Sequence, residues 1–148
     1  MVGEIRFTVT AHSDAQPDDI MMAIRDWQRL PEFWHGMRSI ESSGGQMLEV
    51  RFAFPGRAKM SYLCDWKSQN CVENYHSGPF SGYKRIELQK SGDGTQITVR
   101  WEIKLSLRMI LLRKFLEGHF RDGTNSAIER ICREAARISL QAETVTRR

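Results

Sequence analysis

Glu73 and Lys84 are charged residues that strand patterns place on an otherwise apolar sheet face, together with Tyr62 and Tyr75. A carboxylate and an ammonium taken out of water must be paired, so we expect Glu73 and Lys84 to form a cross-strand ion pair. This pair, with the tyrosine hydroxyls, could orient a carboxylate or hydroxyl group of a ligand. The alternative is a register slip or a sheet edge that leaves both charges in water.

The same residues are the inward-facing acid and base candidates for catalysis. General acid–base catalysis needs an acid or base within hydrogen-bond reach of the reacting atoms, such as a carbonyl or an acidic carbon. Glu73 with Tyr62 or Tyr75 would supply it, although their spacing is not diagnostic of a reaction, and binding without catalysis is favoured. His119 is expected to pack on the flank of a C-terminal helix rather than to line a cavity mouth.

No metal site or cofactor is predicted. The histidines and cysteines lack the short paired spacing of metal ligands. No glycine-rich phosphate loop precedes a helix pattern.

The element that positions these residues most clearly is a strand over residues 97–107, in which apolar and polar residues alternate. Neighbouring strands follow by parity, because a one-residue slip turns every side chain to the opposite face. A turn at residues 91–94 pairs Leu88 with Ile97 and Lys84 with Trp101. The preceding strand then places Glu73 opposite Lys84.

The hairpin before that strand is predicted to turn at residues 68–70. Its expected pairs, all on the inner face, are Cys71 with Trp66, Glu73 with Cys64, and Tyr75 with Tyr62. Cys64 and Cys71 then lie diagonally across the hairpin, where oxidation could link them with little movement. In a reducing cytoplasm we expect them instead to be small apolar fillers with free thiols.

Helix patterns lie on either side of this meander of strands. Pro17, followed by two aspartates, predicts a first helix, and Pro31 starts a short second one. Helical spacing also connects a set of apolar residues near the C-terminus: Met109, Leu116, Phe120, Ala127, Ile128, Ile131, Ala135 and Ile138. Gly123 lies beside this stripe, where it either allows a kink needed for packing or leaves room for a ligand.

This order of elements resembles the START-like helix-grip superfamily, which includes polyketide cyclase/dehydrase proteins, lipid-transport proteins and the birch-pollen-allergen type. The segments that carry the resemblance are AQPDDI at 15–20, LPEFW at 30–34, GPFSG at 78–82 and GDGTQIT at 92–98. The resemblance implies an α+β fold in which a curved antiparallel sheet of about seven strands wraps round a long C-terminal helix. Two short helices are expected between strands 1 and 2, and one domain is expected over residues 1–148.

Members of this superfamily typically enclose an apolar cavity, so we expect a protein that binds a hydrophobic small molecule (a lipid, quinone or polyketide-like compound) for transport, sequestration or presentation. Glu73 and Lys84 would orient the ligand. The expected cavity walls are Phe52, Phe54, Tyr62, Trp66, Tyr75, Trp101, Leu116 and Phe120. The alternatives are a cyclase or dehydratase-type enzyme and an interaction module whose cavity is filled by its own side chains.

Composition limits the partners further. The 148 residues are 41% hydrophobic and carry a formal net charge of +4, with basic residues scattered along the chain. We therefore expect no nucleic-acid partner, and inward-facing aromatic residues argue against a base-stacking platform. The sequence does not indicate which oligomeric state the protein has.

Location is predicted from three further features. No run of about 20 apolar residues could span a membrane, and the N-terminus lacks a secretory pattern. Three cysteines are too few for a disulfide scaffold, so a cytoplasmic protein is expected. Residues 106–115 are both basic and apolar, and we expect them to pack as a strand-to-helix corner rather than to contact a membrane surface transiently.

Overall fold

In the computed structural model, which describes residues 3–54 and 56–146, seven strands form one antiparallel sheet. The strands are β1 (Glu4–Ser13), β2 (Met37–Gly44), β3 (Met47–Phe52), β4 (Arg57–Asp65), β5 (Asn70–Ser77), β6 (Phe80–Ser91) and β7 (Gly94–Leu105). Their order across the sheet is β1-β7-β6-β5-β4-β3-β2, so the first strand closes against the last.

Three helices complete the fold, and the predicted α+β class is confirmed. They are α1 (Pro17–Ile24), α2 (Leu30–Phe33) and α3 (Arg113–Thr146), with 3-10 turns at Trp27–Arg29 and Ile110–Leu112. α1 begins at Pro17, where a fixed φ suits the first turn and two aspartates meet the positive end of the helix. No helix in the described part of the chain is long and apolar enough to cross a membrane.

The core lies between the inner face of the sheet and α3. Along β7 the buried residues alternate as predicted: Ile97, Val99, Trp101, Ile103 and Leu105. The residues of α3 that are buried are Leu116, Thr124, Ala127, Ile128, Ile131 and Ala135. The predicted stripe is therefore largely correct, with Phe120 and Ile138 half-buried at its edges and Met109 lying before the helix begins.

Polar contacts hold the short helices against α3 and set the position of the residue that follows α2. Arg130 Nη1 donates a hydrogen bond of 2.8 Å to the carbonyl oxygen of Phe33, and Arg29 lies 3.4 Å from the carboxylate of Glu134. The bond to Phe33 fixes the C-terminal end of α2 relative to α3, and the contact of Arg29, which precedes α2, fixes its N-terminal end. Trp34, the next residue, is thereby directed into the core.

Strand register agrees with the prediction on one side of the sheet and differs on the other. The pairs Leu88–Ile97, Lys84–Trp101 and Glu73–Lys84 are confirmed. The predicted β4–β5 register is wrong by two residues: Tyr62 lies opposite Glu73 and Cys64 opposite Cys71.

The physical reason for this shift is the turn between β4 and β5. It spans residues 66–69, with Gln69 at a positive φ of 53° and the Asp65 carboxylate accepting bonds from the Lys67 amide and the Ser68 hydroxyl. A two-residue shift keeps parity, so the predicted inner face survives. Trp66, however, lies in the turn and is 42% exposed, so its predicted inward placement is wrong.

The corrected register also changes the chemistry of two cysteines. Because Cys64 and Cys71 lie directly opposite each other rather than diagonally, their sulfur atoms are within bonding distance and form a disulfide. The expectation of free thiols at these two positions is therefore wrong. Cys132, on α3, is a free thiol.

We predict that protein purified without reductant and then unfolded has one titratable thiol, and that reduction raises this number to three. Closing a loop with a sequence separation of 7 should stabilise the fold by about 2 kcal/mol. Urea unfolding with and without reductant measures this difference, and a Cys64→Ala/Cys71→Ala variant should show no response to reductant. Three titratable thiols before reduction would contradict the pairing.

Candidate functional site

A buried polar cluster lies on the inner face of β5 and β6. Lys84 Nζ is 2.6 Å from Glu73 Oε2, and the side chains of both residues are 1% exposed. The Tyr75 hydroxyl donates a 2.9 Å hydrogen bond to Glu73 Oε1. Each carboxylate oxygen of Glu73 therefore accepts a bond, as a buried charge requires. The predicted inward ion pair is confirmed.

Trp34 forms the other side of this cluster. Lys84 Nζ lies 3.1 Å from the centroid of the Trp34 ring, a cation–π contact in a dry environment. The indole Nε1–H of Trp34 is buried and has no hydrogen-bond acceptor among the described residues. A buried donor without an acceptor costs roughly 1–3 kcal/mol. Binding of a ligand group that accepts a hydrogen bond from this N–H would remove that cost.

Burial changes the proton affinity of two groups in the cluster. Desolvation lowers the pKa of Lys84 from its ordinary value of 10.5 to about 8, although the neighbouring carboxylate of Glu73 opposes this change. Burial, followed by the charge of Glu73, raises the pKa of Tyr75 well above 10. Tyr75 is therefore a neutral hydrogen-bond donor, and Lys84 becomes partly neutral in mildly alkaline solution.

The cluster forms part of the wall of an apolar cleft between the sheet and α3. The volume of this cleft is about 60 Å³. Trp101 and Phe120 stack within it, with ring centroids 5.1 Å apart, and Thr124 accepts a 2.9 Å hydrogen bond from Trp101 Nε1. That bond satisfies the indole of Trp101, whereas the buried indole N–H of Trp34 has no partner in the part of the chain described.

The mouth of the cleft carries two exposed histidines, His35 and His119. His119 stacks on Phe115, with ring centroids 6.0 Å apart, so it lies at the rim and not in the half-buried packing position that we expected. Gly123 lines the cleft beside them. Apart from the helix itself, no atom of residues 3–54 or 56–146 would come within 4 Å of a Cβ added at Gly123.

No protein-family model matches the chain, and no curated protein matches its sequence. Solved structures do match it. A protein from Thermus thermophilus is 16% identical, with a TM-score of 0.72 and coverage of 92% of this chain and 99% of that one. A START superfamily protein from Mycobacterium smegmatis is 15% identical, with a TM-score of 0.69 and coverage of 84% and 94%. The ZhuI aromatase/cyclase from Streptomyces sp. R1128 is 14% identical, with a TM-score of 0.71 and coverage of 90% and 94%.

The chain has the START-like helix-grip fold. At these identities the likeness shows the fold and no more, because one fold hosts many unrelated functions. The chemistry must be argued from the side chains of this helix-grip cleft.

Six of the residues predicted to form the site line the cleft: Phe52, Phe54, Tyr75, Lys84, Trp101 and Phe120. Glu73 lies behind them, bonded to Lys84 and Tyr75. Leu116 is buried in the core and does not line the cleft, and neither does Trp66.

Tyr62 has a structural position different from the one predicted. Its hydroxyl donates a 2.5 Å hydrogen bond to the carbonyl oxygen of Ile24, at the C-terminal end of α1. A carbonyl in the last turn of a helix has no partner within the helix, so Tyr62 satisfies it. The Tyr62 hydroxyl is therefore committed to the helix-grip scaffold.

Sequence reasoning missed several lining residues, of which Trp34, Met37 and Phe80 are buried and apolar. Trp34 follows the short α2 helix, and Phe80 begins β6 directly after a turn. Each lies at the end of an element, so the alternating pattern of apolar residues does not extend on both sides of it. That alternation, which identified the other cavity walls, therefore could not place Trp34 or Phe80 in the cleft. The proline-aromatic step at 31–34 was the available signal for Trp34.

We predict that Glu73→Gln lowers the free energy of unfolding by about 3 kcal/mol, because it leaves the Lys84 ammonium buried without a counter-charge. The double variant Glu73→Leu/Lys84→Met should recover most of that loss. Urea unfolding of the single and double variants provides the measurement. Glu87→Gln, which breaks a half-exposed pair with Arg85 on the same strand, is the matched control and should change stability by less than about 0.5 kcal/mol. An equally small effect of Glu73→Gln would show that the pair is not buried.

We also predict that Lys84 titrates near pH 8 in the folded protein. Because this pKa lies below the unfolded value, the unfolded chain binds more protons at this lysine between about pH 8 and 10.5. The titration of Lys84 should therefore make the free energy of unfolding increase with pH across that window. The ¹³Cε chemical shift of the lysine resonance that is missing in Lys84→Met reports the titration. A midpoint above pH 10 would contradict the desolvated environment.

Proposed function

We propose that this protein binds a neutral hydrophobic small molecule, carrying a ring and a hydrogen-bond acceptor, in the cleft between the sheet and α3. The observation that carries the proposal is the polar cluster in an otherwise apolar cleft. That cluster combines a compensated ion pair, Glu73 and Lys84, with an unpaired buried donor, the indole N–H of Trp34. An apolar site with a few placed polar groups is typical of small-molecule recognition.

The charge of the cluster selects against ionised ligands. Lys84 is already paired with Glu73, and the high pKa of Tyr75 keeps its hydroxyl neutral, so the three side chains together carry no net charge. A ligand carboxylate would bring an uncompensated charge into a dry cleft, which is costly. A ketone, quinone or similar carbonyl group brings an acceptor without that cost.

Trp34 supplies the polar selectivity. A ligand carbonyl that accepts a hydrogen bond from Nε1–H removes the penalty of a buried, unpaired donor. An apolar ligand of the same shape leaves that penalty in place. We therefore expect the indole of Trp34 to make the carbonyl ligand bind more tightly than the apolar ligand of the same shape.

The size of the cleft sets a condition on binding. A volume of about 60 Å³ is far below the roughly 300–1,000 Å³ of sites for drug-sized ligands. Entry of a ring therefore requires the side chains at the rim, such as Phe54, His119 and Phe120, to move. Gly123 lines the same cleft, and the space next to its Cα is open.

The same small volume favours one competing function, an interaction module whose interior is filled by its own side chains. The enzyme alternative has less support. Tyr62 is bonded to α1, and both carboxylate oxygens of Glu73 are engaged, so the expected pairing of Glu73 with Tyr62 is not free to act on a ligand.

The test is an NMR titration with three single-ring probes of similar shape: acetophenone, cumene and benzoate. We expect acetophenone to bind most tightly, cumene about fivefold more weakly for want of the acceptor, and benzoate most weakly. Trp34→Phe should reduce the affinity for acetophenone to that for cumene and leave cumene binding unchanged.

Two glycine variants localise the binding. Gly123→Leu fills the space at the cleft and should abolish binding of acetophenone. Gly118→Leu, five residues earlier on the exposed surface of α3, provides the same gain in helix propensity without lining the cleft, and should leave binding intact. Equal binding by both variants would reject this cleft as the binding site, and no binding of any probe by the unmodified protein would reject it in favour of a filled interior.

A further inference from the structure

Residues 107–115, which connect β7 to α3 and which we call the ledge, expose large apolar side chains. Leu107 is 87% exposed, Leu111 is 95% exposed and Phe115 is 70% exposed. Met109 and Ile110 pack towards the core, so the winding of the chain directs the other apolar residues outward. The expectation that this corner packs on its own core is therefore wrong for most of its apolar surface.

The ledge is also basic. Arg108, Arg113 and Lys114 flank the apolar residues, and residues 107–115 include no acidic residue. The nearest acidic residue along α3, Glu117, is paired with Arg121 at 3.7 Å. The ledge thus combines protruding apolar side chains with positive charge that the neighbouring helix does not neutralise.

The ledge is held in place by a contact with the sheet and by a hydrogen bond within the ledge itself. Arg113 Nε donates a 2.8 Å hydrogen bond to the carbonyl oxygen of Glu4 in β1, and the Leu112 amide donates a 3.0 Å bond to the carbonyl of Met109. The exposed residues are therefore presented by an ordered turn and the first turn of α3.

We propose that the ledge docks on an anionic lipid bilayer. Leu107, Leu111 and Phe115 enter the boundary between headgroups and acyl chains, while Arg108 and Lys114 contact the anionic headgroups. Apolar side chains flanked by basic residues are the pattern of interfacial membrane binding, in which apolar burial and electrostatic attraction add. This inference goes beyond the proposed ligand and does not depend on it.

Two features favour a bilayer over another macromolecule. A side chain that is 95% exposed projects from the surface, and a fluid bilayer accepts a projection without the shape complementarity that a protein partner must supply. A second copy of the chain bound symmetrically would place Arg108 and Lys114 of each molecule close to those of the other, and like charges repel.

Docking would also bring the mouth of the cleft close to the membrane. Phe115, on the ledge, stacks on His119, which lines the rim of the cleft. A hydrophobic molecule leaving the bilayer would therefore have a short path to the cleft.

The test is co-sedimentation with vesicles of phosphatidylcholine alone or of phosphatidylcholine and phosphatidylglycerol in a 7:3 ratio, at 0.1 M salt. We expect binding to the anionic vesicles that is about tenfold tighter than to the neutral ones and that weakens as salt is raised. Leu111→Ser/Phe115→Ser should reduce binding to anionic vesicles about tenfold, and Arg108→Gln/Lys114→Gln should reduce it to the level of neutral vesicles.

Matched controls use exposed residues away from the ledge. Leu140→Ser removes an exposed leucine near the end of α3, and Arg38→Gln/Lys67→Gln removes two exposed charges; both should bind like the unmodified protein. Circular dichroism verifies that every variant is folded. Absence of binding to anionic vesicles, or binding that Leu111→Ser/Phe115→Ser leaves unchanged, overturns the proposal. A dimer that depends on Leu111 and Phe115 without vesicle binding overturns it in favour of a second copy.

Discussion

The buried ion pair between Glu73 and Lys84 is the constraint on which the rest of the site depends. Neither charge is tolerable in a dry interior without the other, so the β5–β6 register cannot slip without losing several kcal/mol. The pair also determines what surrounds it: an aromatic face over the ammonium and a tyrosine hydroxyl on the carboxylate. A fold whose other inward residues are almost all apolar thereby keeps one polar point at a fixed position in its cleft.

The cluster of Glu73, Lys84 and Tyr75 has no net charge, and for that reason we propose a neutral ligand and not an ionised one. The charges satisfy each other, and the Trp34 indole N–H is left as the unmet hydrogen-bonding demand within the described cluster. The cleft beside it is small, but it is bounded by the one turn of α3 where a glycine lines the wall in place of a side chain. Recognition of a neutral acceptor and a requirement for side-chain movement at the rim follow from the same arrangement.

Periodicity predicted the fold, the inner face and the ion pair, because parity along strands survives errors in turn length. It failed where structure depends on a single turn: a positive φ at Gln69 shifted the β4–β5 register by two residues, moved Trp66 into solvent and brought Cys64 opposite Cys71. It also could not assign Trp34, which follows a helix of four residues, or distinguish an exposed ledge from a packed corner. Those outcomes depend on the geometry of one local turn and on tertiary contacts, neither of which has a period in the sequence.

The most direct test of the central claim, that the interior holds a neutral hydrophobic ligand, is native mass spectrometry of freshly purified protein combined with an organic extract of the same sample. The account predicts a discrete additional mass that disappears on denaturation and a neutral, carbonyl-bearing compound in the extract. A bare chain with nothing in the extract, or a bound compound that is ionised, would contradict it.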